Sequence, residues 1–537
     1  MLFHALMENT PTSRRPLSDL WPWLVVVLIL LLTTFIRFRL LDVPLERDEG
    51  EYAYAGQLLL QGIPPYQLAW NMKLPGTYFA YALGMALFGQ TTAGIHATLI
   101  VANCLTTVFI FLLARKLFGI AAGLAACATF GILSASPAVM GLAAHANHFV
   151  ILFAVPATLL LWKAEESKQT GTLFWSGLLY GLAFLMKQQG ICFCLFAVAV
   201  VFWNALENKT LLSAGFVGRI LLLGGAMLLP FVLTCLYLWQ AGVFAKFWFW
   251  TFTYAGKYAT EVSLHEGVAK LSIYVHKKWI VYIAYIAFIA LSLPFMALNR
   301  ALRKQILFVA AFLAFSFLGT TIDFNFREHY FILLLPSLAM FTGLAMVLLQ
   351  RTGNSPVLKF IAPICCVLIL GFTVFLHRGF FFQMPANTVS VMVYYGDAPF
   401  TAMPGVGAYI RAHSATNATV AVFGSEPEIY FYAQRHSATG YLYMYPLMEP
   451  QPYALQMQRE MTQEIEAKAP DFLVYVPGAD SWNVRPESDQ TILHWFYKFS
   501  KQYQAVASFG PTADNGNHMV QMQSPPVTVF QREMPPH

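Results

Sequence analysis

Charged side chains are scarce in this sequence. Asp, Glu, Lys and Arg make up 11% of its 537 residues, about half the share of an ordinary soluble domain. With 58% hydrophobic residues and a mean hydropathy of +0.56, that scarcity excludes a typical soluble enzyme and reads as an integral membrane protein. The formal charge of +6 is spread over short connections, so no basic groove is available and a nucleic-acid partner is excluded. Cysteine is also sparse: the seven residues lie at 104, 127, 192, 194, 235, 365 and 366, all in apolar stretches. A domain built from the chain beyond Cys366 folds without disulfides, and no spacing matches a zinc or redox site. A Gly-x-x-x-x-Gly-Lys-Ser/Thr segment is missing as well, and no cytoplasmic stretch is long enough for a nucleotide-binding domain. This argues against a single-chain ATP-driven pump and toward a substrate activated elsewhere. No small-residue cleavage pattern follows Arg14 and Arg15, so the run from Trp21 to Phe38 is expected to be a retained first helix with its amino end in the cytoplasm.

Apolar runs long enough to span a bilayer fall at about 20–40, 94–114, 120–139, 147–162, 172–186, 189–205, 214–238, 279–298, 305–322, 330–350 and 357–377, about eleven in all. With the amino terminus inside, Arg115, Lys116, Lys163, Lys168, Lys209, Arg219, Arg300, Arg303, Lys304, Arg351 and Lys359 fall in or beside inside loops, as the positive-inside tendency requires. The run from Pro75 to Phe88 is too short to span and contains two glycines. It is read as an interfacial or re-entrant helix, with a second amphipathic piece from Glu51 to Leu60 and Tyr52, Tyr54 and Tyr66 at headgroup level.

Two outside loops, 41–93 and 239–278, are too elaborate to be connectors. The first opens on Arg47-Asp48-Glu49-Gly50-Glu51, four ionisable groups in five positions beside a membrane helix. Such groups require water, partners or a ligand, because unpaired buried charge is costly. The second carries His265, Glu266 and several lysines among aromatics, and its first part, Phe244 to Tyr258, is a candidate interfacial helix. Smaller outside turns hold His145, Asn147 and His148, then Lys187-Gln-Gln-Gly, then Asp323 through His329. Acids, bases and amides thus gather at one membrane face, which points to a cavity there. Beyond Leu376 the pattern changes. Strands at Thr419–Phe423, Phe472–Val476 and Ala505–Phe509 alternate with helices at Glu426–Ala433, Gln451–Ala467 and Thr491–Gln502, predicting a small α/β domain. The expected organisation is a transmembrane module over 1–377 and an extracytoplasmic α/β domain over 378–537.

Several segments resemble the GT-C superfamily of integral-membrane glycosyltransferases, specifically family 39, the protein mannosyltransferase and aminoarabinose transferase branch with its bacterial members. They are Arg47-Asp-Glu-Gly-Glu-Tyr-Ala-Tyr54, Tyr66 through Lys73-Leu-Pro-Gly-Thr-Tyr78, Leu113-Ala-Arg-Lys-Leu-Phe-Gly119, Leu185-Met-Lys-Gln-Gln-Gly190, Arg327-Glu-His-Tyr-Phe-Ile-Leu-Leu-Leu-Pro336 and Val422-Phe-Gly-Ser-Glu-Pro-Glu-Ile-Tyr430. The resemblance runs the length of the chain in order. Relatives often carry Lys-Pro-Pro where this chain has Lys73-Leu-Pro, and Lys-Gly-Pro where it has Lys187-Gln-Gln. The fold it implies is a polytopic α-helical GT-C-like membrane protein with interfacial helices and an outer α/β domain. The activity it implies is transfer of a sugar from a polyprenyl-phosphate donor, with inversion, to lipid A, another glycan, a lipid or a protein at the outer face of a bacterial inner membrane. A monomer is expected.

Such transfer needs a base for the acceptor hydroxyl and positive charge on the departing phosphate. Asp48 is the candidate base, matching the first acid of the family pair. Glu49 points elsewhere if the pair opens a helix, to hold the sugar, orient the acceptor or help bind a cation. Lys73, Lys187 and Arg327 are candidate donor-phosphate residues, and Tyr52, Tyr66, His145, His265 and His329 candidate substrate contacts. Glu49, His265 and Glu266 are of the ligand type for a divalent cation, although no compact metal motif is present. Each group also has a plain alternative: helix-start capping for the acids and snorkelling for the cations. The competing functional reading is a lipid-linked sugar flippase or other polytopic transporter. Gathering of the charges at one face and the lack of an evident internal repeat favour a surface reaction.

Overall fold

In the computed structural model, residues 20–351, 356–394, 399–510, 512–514, 519–521 and 525–533 are described. Arg14 and Arg15, on which the inside placement of the amino terminus rests, lie outside them. The chain divides into two compact units: one comprises 1–39, 99–236 and 258–383, the other 40–98, 237–257 and 384–537. The loop expected over 41–93 and the first part of the one expected over 239–278, up to residue 257, cluster with the tail, whereas residues 258–278 cluster with the first unit.

Among the described residues, nine helices are long and apolar enough to cross a membrane, and Gly76–Phe88, Ile120–Ser134 and Thr170–Met186 are shorter apolar helices. Every one of the eleven expected runs is helical, since in hydrocarbon a segment must satisfy its backbone groups internally. In the first unit, helices Ala146–Ser167 and Thr170–Met186 form a hairpin. Polar contacts tie it together, with Thr158 Oγ1 at 2.8 Å from Tyr180 Oη and Ser176 donating to the Ala157 carbonyl at 2.8 Å. Helix Leu335–Arg351 packs closely on Ile120–Ser134 because Gly343 brings no Cβ against the Ala122 backbone. Glu165 pairs with Arg219 at 2.5 Å and Lys168 at 3.0 Å, and Lys116 with Glu166 at 3.0 Å, so three of the basic connections meet at one end of this unit.

The loop expected over 239–278 is shorter than the sequence suggested. Helix Phe244–Trp248 runs through a π-turn, Phe249–Tyr254, into Ala255–Ala259, and a 35-residue helix already starts at Leu264. Ser263 caps it reciprocally with Glu266, a start signal masked by the polar run that follows.

In the second unit the strands are β1 Thr419–Phe423, β2 His436–Ser437, β3 Phe472–Tyr475, β4 Tyr503–Phe509, β5 Thr512–Asp514, β6 Met519–Gln521 and β7 Val527–Arg532. They form a five-stranded sheet of order β2-β1-β3-β7-β4 and a β5-β6 pair. Pairings of β1 with β2 and β3 are parallel, and those of β7 with β3 and β4 antiparallel. The expected β1, β3 and β4 are present, whereas β2, β5, β6 and β7 were not anticipated.

Helix Arg47–Leu60 belongs to this unit and is built into the tail. Tyr54 Oη accepts from Ser437 N at 2.8 Å, Tyr432 Oη accepts from Leu45 N at 2.9 Å, and Tyr443 donates to the Arg47 carbonyl at 3.0 Å. Trp70 N donates to the Gly440 carbonyl at 2.8 Å. Tyr52, Tyr54 and Tyr66 are each about 1% exposed and face protein: Tyr52 packs on Tyr78 and Tyr81, Tyr54 on Tyr430, and Tyr66 on Tyr78 and Phe247. Contact is closest at Gly50, where an added Cβ would lie 2.5 Å from Glu428 N and 2.6 Å from its Cα. Gly50→Ala gains about 1 kcal/mol of helix propensity yet loses about 1–3 kcal/mol to overpacking. We expect a lower thermal midpoint for Gly50→Ala in detergent; an equal or higher one would refute this close packing.

Candidate active site

The charged stretch 47–51 is the first turn of helix Arg47–Leu60, and the helix geometry sorts its acids. Glu46 is the N-cap: its carboxylate accepts from Glu49 N at 2.9 Å while Glu49 Oε2 faces Glu46 N. Residues 48 and 51, three apart, share one face, and residue 49 is turned away from it. The structure follows that rule. Asp48 Oδ1 lies 2.9 Å from Lys73 Nζ, whereas Glu49 Oε1 lies 3.1 Å from His96 Nε2.

Lys73 arrives from a separate turn, and its side chain is 16% exposed against 22% for Asp48, so the pair is partly open to solvent. Its ammonium also lies 3.3 Å from Tyr52 Oη. The turn is fixed by Tyr66, a residue at φ 65, whose hydroxyl donates to the Lys73 carbonyl at 2.6 Å. Trp70 Nε1 in turn donates to the Tyr66 carbonyl at 2.8 Å. Thus Tyr52 and Tyr66, expected to touch substrate, both border Lys73.

His96 joins Glu49 from helix Thr92–Phe118, and its Nδ1 lies 2.7 Å from the Leu41 carbonyl. A carbonyl only accepts, so Nδ1 carries hydrogen, and the Nε2 contact holds a further proton between ring and carboxyl. Both side chains are almost fully buried. Glu49 is therefore a buried, paired cap.

Glu51 is fully buried. Its Oε2 accepts from Asn71 Nδ2 at 2.6 Å, and its Oε1 accepts from the Tyr78 hydroxyl. Burial first, and Asp48 second among the raising influences, push its pKa up to about 7, although Lys73, Tyr78 and Asn71 pull it down. An acid whose folded pKa is raised binds more protons folded than unfolded. Its stabilising contribution is complete below the unfolded value of 4.5 and is lost as pH rises through about 7. Raising the pH from about 5 to about 8 is expected to destabilise the native protein by a few kcal/mol more than the Glu51→Gln variant. Parallel thermal-midpoint curves for the two proteins would refute this.

In the first unit a second polar group forms. Lys187 donates to Asn147 Oδ1 at 3.0 Å, Asn147 donates to Gln189 Oε1 at 2.8 Å, and the Lys187 ammonium lies 4.3 Å over the Tyr330 ring. His145 and His329 stack with centroids 4.0 Å apart, and both are buried. Arg327 is exposed, its guanidinium 3.5 Å from Tyr258 Oη. His265 is exposed on the first turn of its helix.

The cation set Glu49, His265 and Glu266 does not fit. Glu49 is engaged by His96 and the Glu46 amide, and Glu266 accepts from Ser263 N at 2.8 Å and Ser263 Oγ at 2.9 Å. Both carboxylates serve as helix caps, so no step is routed through a metal on them. Asp48 and Lys73, expected separately as base and donor-phosphate residue, are brought together by the structure. The sequence reading left out of the site His96, Asn71 and the partner role of Glu51; the i, i+3 spacing from Asp48 was the available signal for Glu51, and nothing local announced the other two.

Comparisons with known proteins agree with this architecture. Residues 73–239 match the family described as dolichyl-phosphate-mannose-protein mannosyltransferase. The undecaprenyl phosphate-alpha-4-amino-4-deoxy-L-arabinose arabinosyl transferase of Pseudomonas aeruginosa is 28% identical over 340 residues, 58% of this chain and 57% of the relative. The transferase of the same description from Pseudomonas paraeruginosa is 31% identical over 153 residues, 26% of this chain and 27% of that protein. The match therefore spans little more than half the length of the first of these relatives. Among solved structures, ArnT from Cupriavidus metallidurans bound to undecaprenyl phosphate superposes with a TM-score of 0.56 at 14% identity, covering 95% of this chain and 98% of that one. Archaeal oligosaccharyltransferase AglB from Archaeoglobus fulgidus gives 0.51 at 13% identity, covering 85% and 69%. The chain is thus similar over residues 73–239 to a mannosyltransferase family and over about half its length to aminoarabinose transferases, and it shares its fold with the membrane transferases ArnT and AglB.

Proposed function

We propose that the chain is a glycosyltransferase that moves a sugar from a polyprenyl-phosphate carrier to an acceptor at the outer face of the inner membrane. The observation that carries this reading is the Asp48–Lys73 pair at 2.9 Å, partly open to solvent, on a helix start locked in place by buried partners. One member of such a pair accepts a proton and the other holds an anion. The acceptor hydroxyl attacks the anomeric carbon, the glycosidic C–O bond to phosphate breaks, Asp48 takes the hydroxyl proton, and polyprenyl phosphate leaves with the electron pair toward Lys73. Direct attack inverts the anomeric centre. Names of the relatives support an undecaprenyl-phosphate donor carrying an aminopentose, and the bound lipid named for ArnT supports the carrier.

Lys187 and Arg327 are the candidate anion-binding cations of the first unit, and His145 and His329 its candidate substrate contacts. The amino terminus is assigned to the cytoplasm and the α/β tail to the outer face, where a glycan, a lipid including lipid A, or a protein is within reach as acceptor. The test is transfer by purified protein in lipid from a panel of radiolabelled polyprenyl-phosphate sugars, with acceptor-containing membrane extract in every reaction. Product dependent on donor supports the reading. No transfer from donors proven competent with another transferase, together with movement of lipid-linked sugar across liposomes, would replace it with transport.

A further inference from the structure

We infer that Glu51 is a positioning residue that acts through Asn71 to set the turn presenting Lys73. The inference deepens the reading of Asp48 and Lys73 above and rests on it for its catalytic consequence. Four observations converge on it. Glu51 is fully buried and touches solvent nowhere, so it does not meet a substrate. It sits one helical turn after Asp48, on the same face. Its Oε2 accepts from Asn71 Nδ2 at 2.6 Å, and Asn71 Oδ1 accepts from Met72 N at 2.7 Å. Asn71 is thereby fixed at both ends of its amide: one end grips the helix, the other shapes the backbone one residue before Lys73.

The second hold on Glu51, from the Tyr78 hydroxyl, comes from helix Gly76–Phe88, immediately beyond the Lys73-Leu-Pro turn. Glu51 therefore draws together both flanks of the turn, at residues 71 and 78. The two acids on this face divide the work: Asp48 meets the Lys73 ammonium directly, and Glu51 holds the backbone from which that ammonium is presented. A glutamine at 51 keeps the volume but brings its own N–H against one of two donors, so one link is lost.

The experiment measures the acylation rate of the Lys73 amine by mass spectrometry in the full-length protein in detergent, beside donor transfer. The variants are Glu51→Gln, Asn71→Ala, their double, and Tyr78→Phe. Thermal midpoints confirm folding, and Tyr78→Phe, the mildest change, remains as a folded comparison. Losing the charge-assisted bond is expected to accelerate Lys73 acylation about tenfold or more in Glu51→Gln and Asn71→Ala alike. The double variant adds little to either, because both break one link. Tyr78→Phe leaves the Asn71 link intact and moves the rate by about twofold or less. Unchanged acylation in folded Asn71→Ala, or fully additive single effects, overturns the inference. Absence of transfer in the unaltered protein counts against the proposed reaction alone, since Lys73 acylation reads the positioning without it.

Discussion

Asp48→Asn is expected to remove about 10²–10⁴-fold of the transfer rate while leaving the fold intact. Asparagine matches aspartate in size and still accepts a hydrogen bond, so the Lys73 ammonium keeps a partner. It has no basic carboxylate, so the acceptor proton has no destination. Stability is expected to change by less than about 1 kcal/mol, because both members of the pair keep some solvent exposure, 16% and 22%, and pairs of that kind contribute little. Glu49→Gln supplies the contrast. That carboxyl is almost fully buried against His96, and its loss is expected to lower the thermal midpoint as well as the rate. Transfer kinetics and thermal unfolding on the same preparations decide. A fully active Asp48→Asn protein would end the assignment of the base; a collapse of both proteins alike would mean that Asp48 is structural.

Breaking the buried pair between Arg47 and Glu426 is expected to produce the largest loss of stability. The guanidinium lies 2.9 Å from Glu426 Oε1 through Nη2 and 3.1 Å through Nε, and Ser481 Oγ donates to Glu426 Oε2 at 2.6 Å. The Phe400 ring lies 5.2 Å from the same guanidinium. Glu426 is fully buried and Arg47 is 16% exposed. Arg47→Ala strands Glu426 beside Glu428, which is itself fully buried, neither of its carboxyl oxygens having a hydrogen-bond partner among the described residues. Burial, then the neighbouring Glu426 charge, hold the Glu428 pKa well above the usual carboxylate range. A second acid left without its cation there costs about 3 kcal/mol, the residual exposure of Arg47 keeping the loss at the lower end. Since Arg47 precedes Asp48 directly, transfer falls with the fold. The double change Arg47→Met with Glu426→Leu removes both charges and is expected to recover most of the stability. Chemical denaturation of the three proteins tests this, and equal losses in single and double variants would show that the pair itself, not the stranded charge, supplies the stability.

This pair also changes what the tail is for. From the sequence, the residues beyond Leu376 suggested a separate outer α/β domain. The contacts of Glu426, Ser437, Tyr432 and Tyr443 with residues 45–54 make the tail the mount of the helix that bears Asp48.

Run length and composition determined by themselves that the chain is a polytopic helical membrane protein, because hydrocarbon leaves an apolar segment no alternative to internal hydrogen bonding. Alternating strands and helices after Leu376 likewise announced an α/β tail, and helical periodicity alone separated Asp48 from Glu49. Only the tertiary structure decided the partners. Arg47 and Glu426 stand 379 positions apart, Glu49 and His96 47 apart, and Glu51 and Asn71 20 apart. No local pattern encodes such pairings: they arise when burial removes water from an acid and the nearest donor, wherever it lies along the chain, must replace it. The tyrosines followed the same rule, turning inward onto other rings: Tyr54 onto Tyr430, Tyr52 onto Tyr78 and Tyr81, and Tyr66 onto Tyr78 and Phe247.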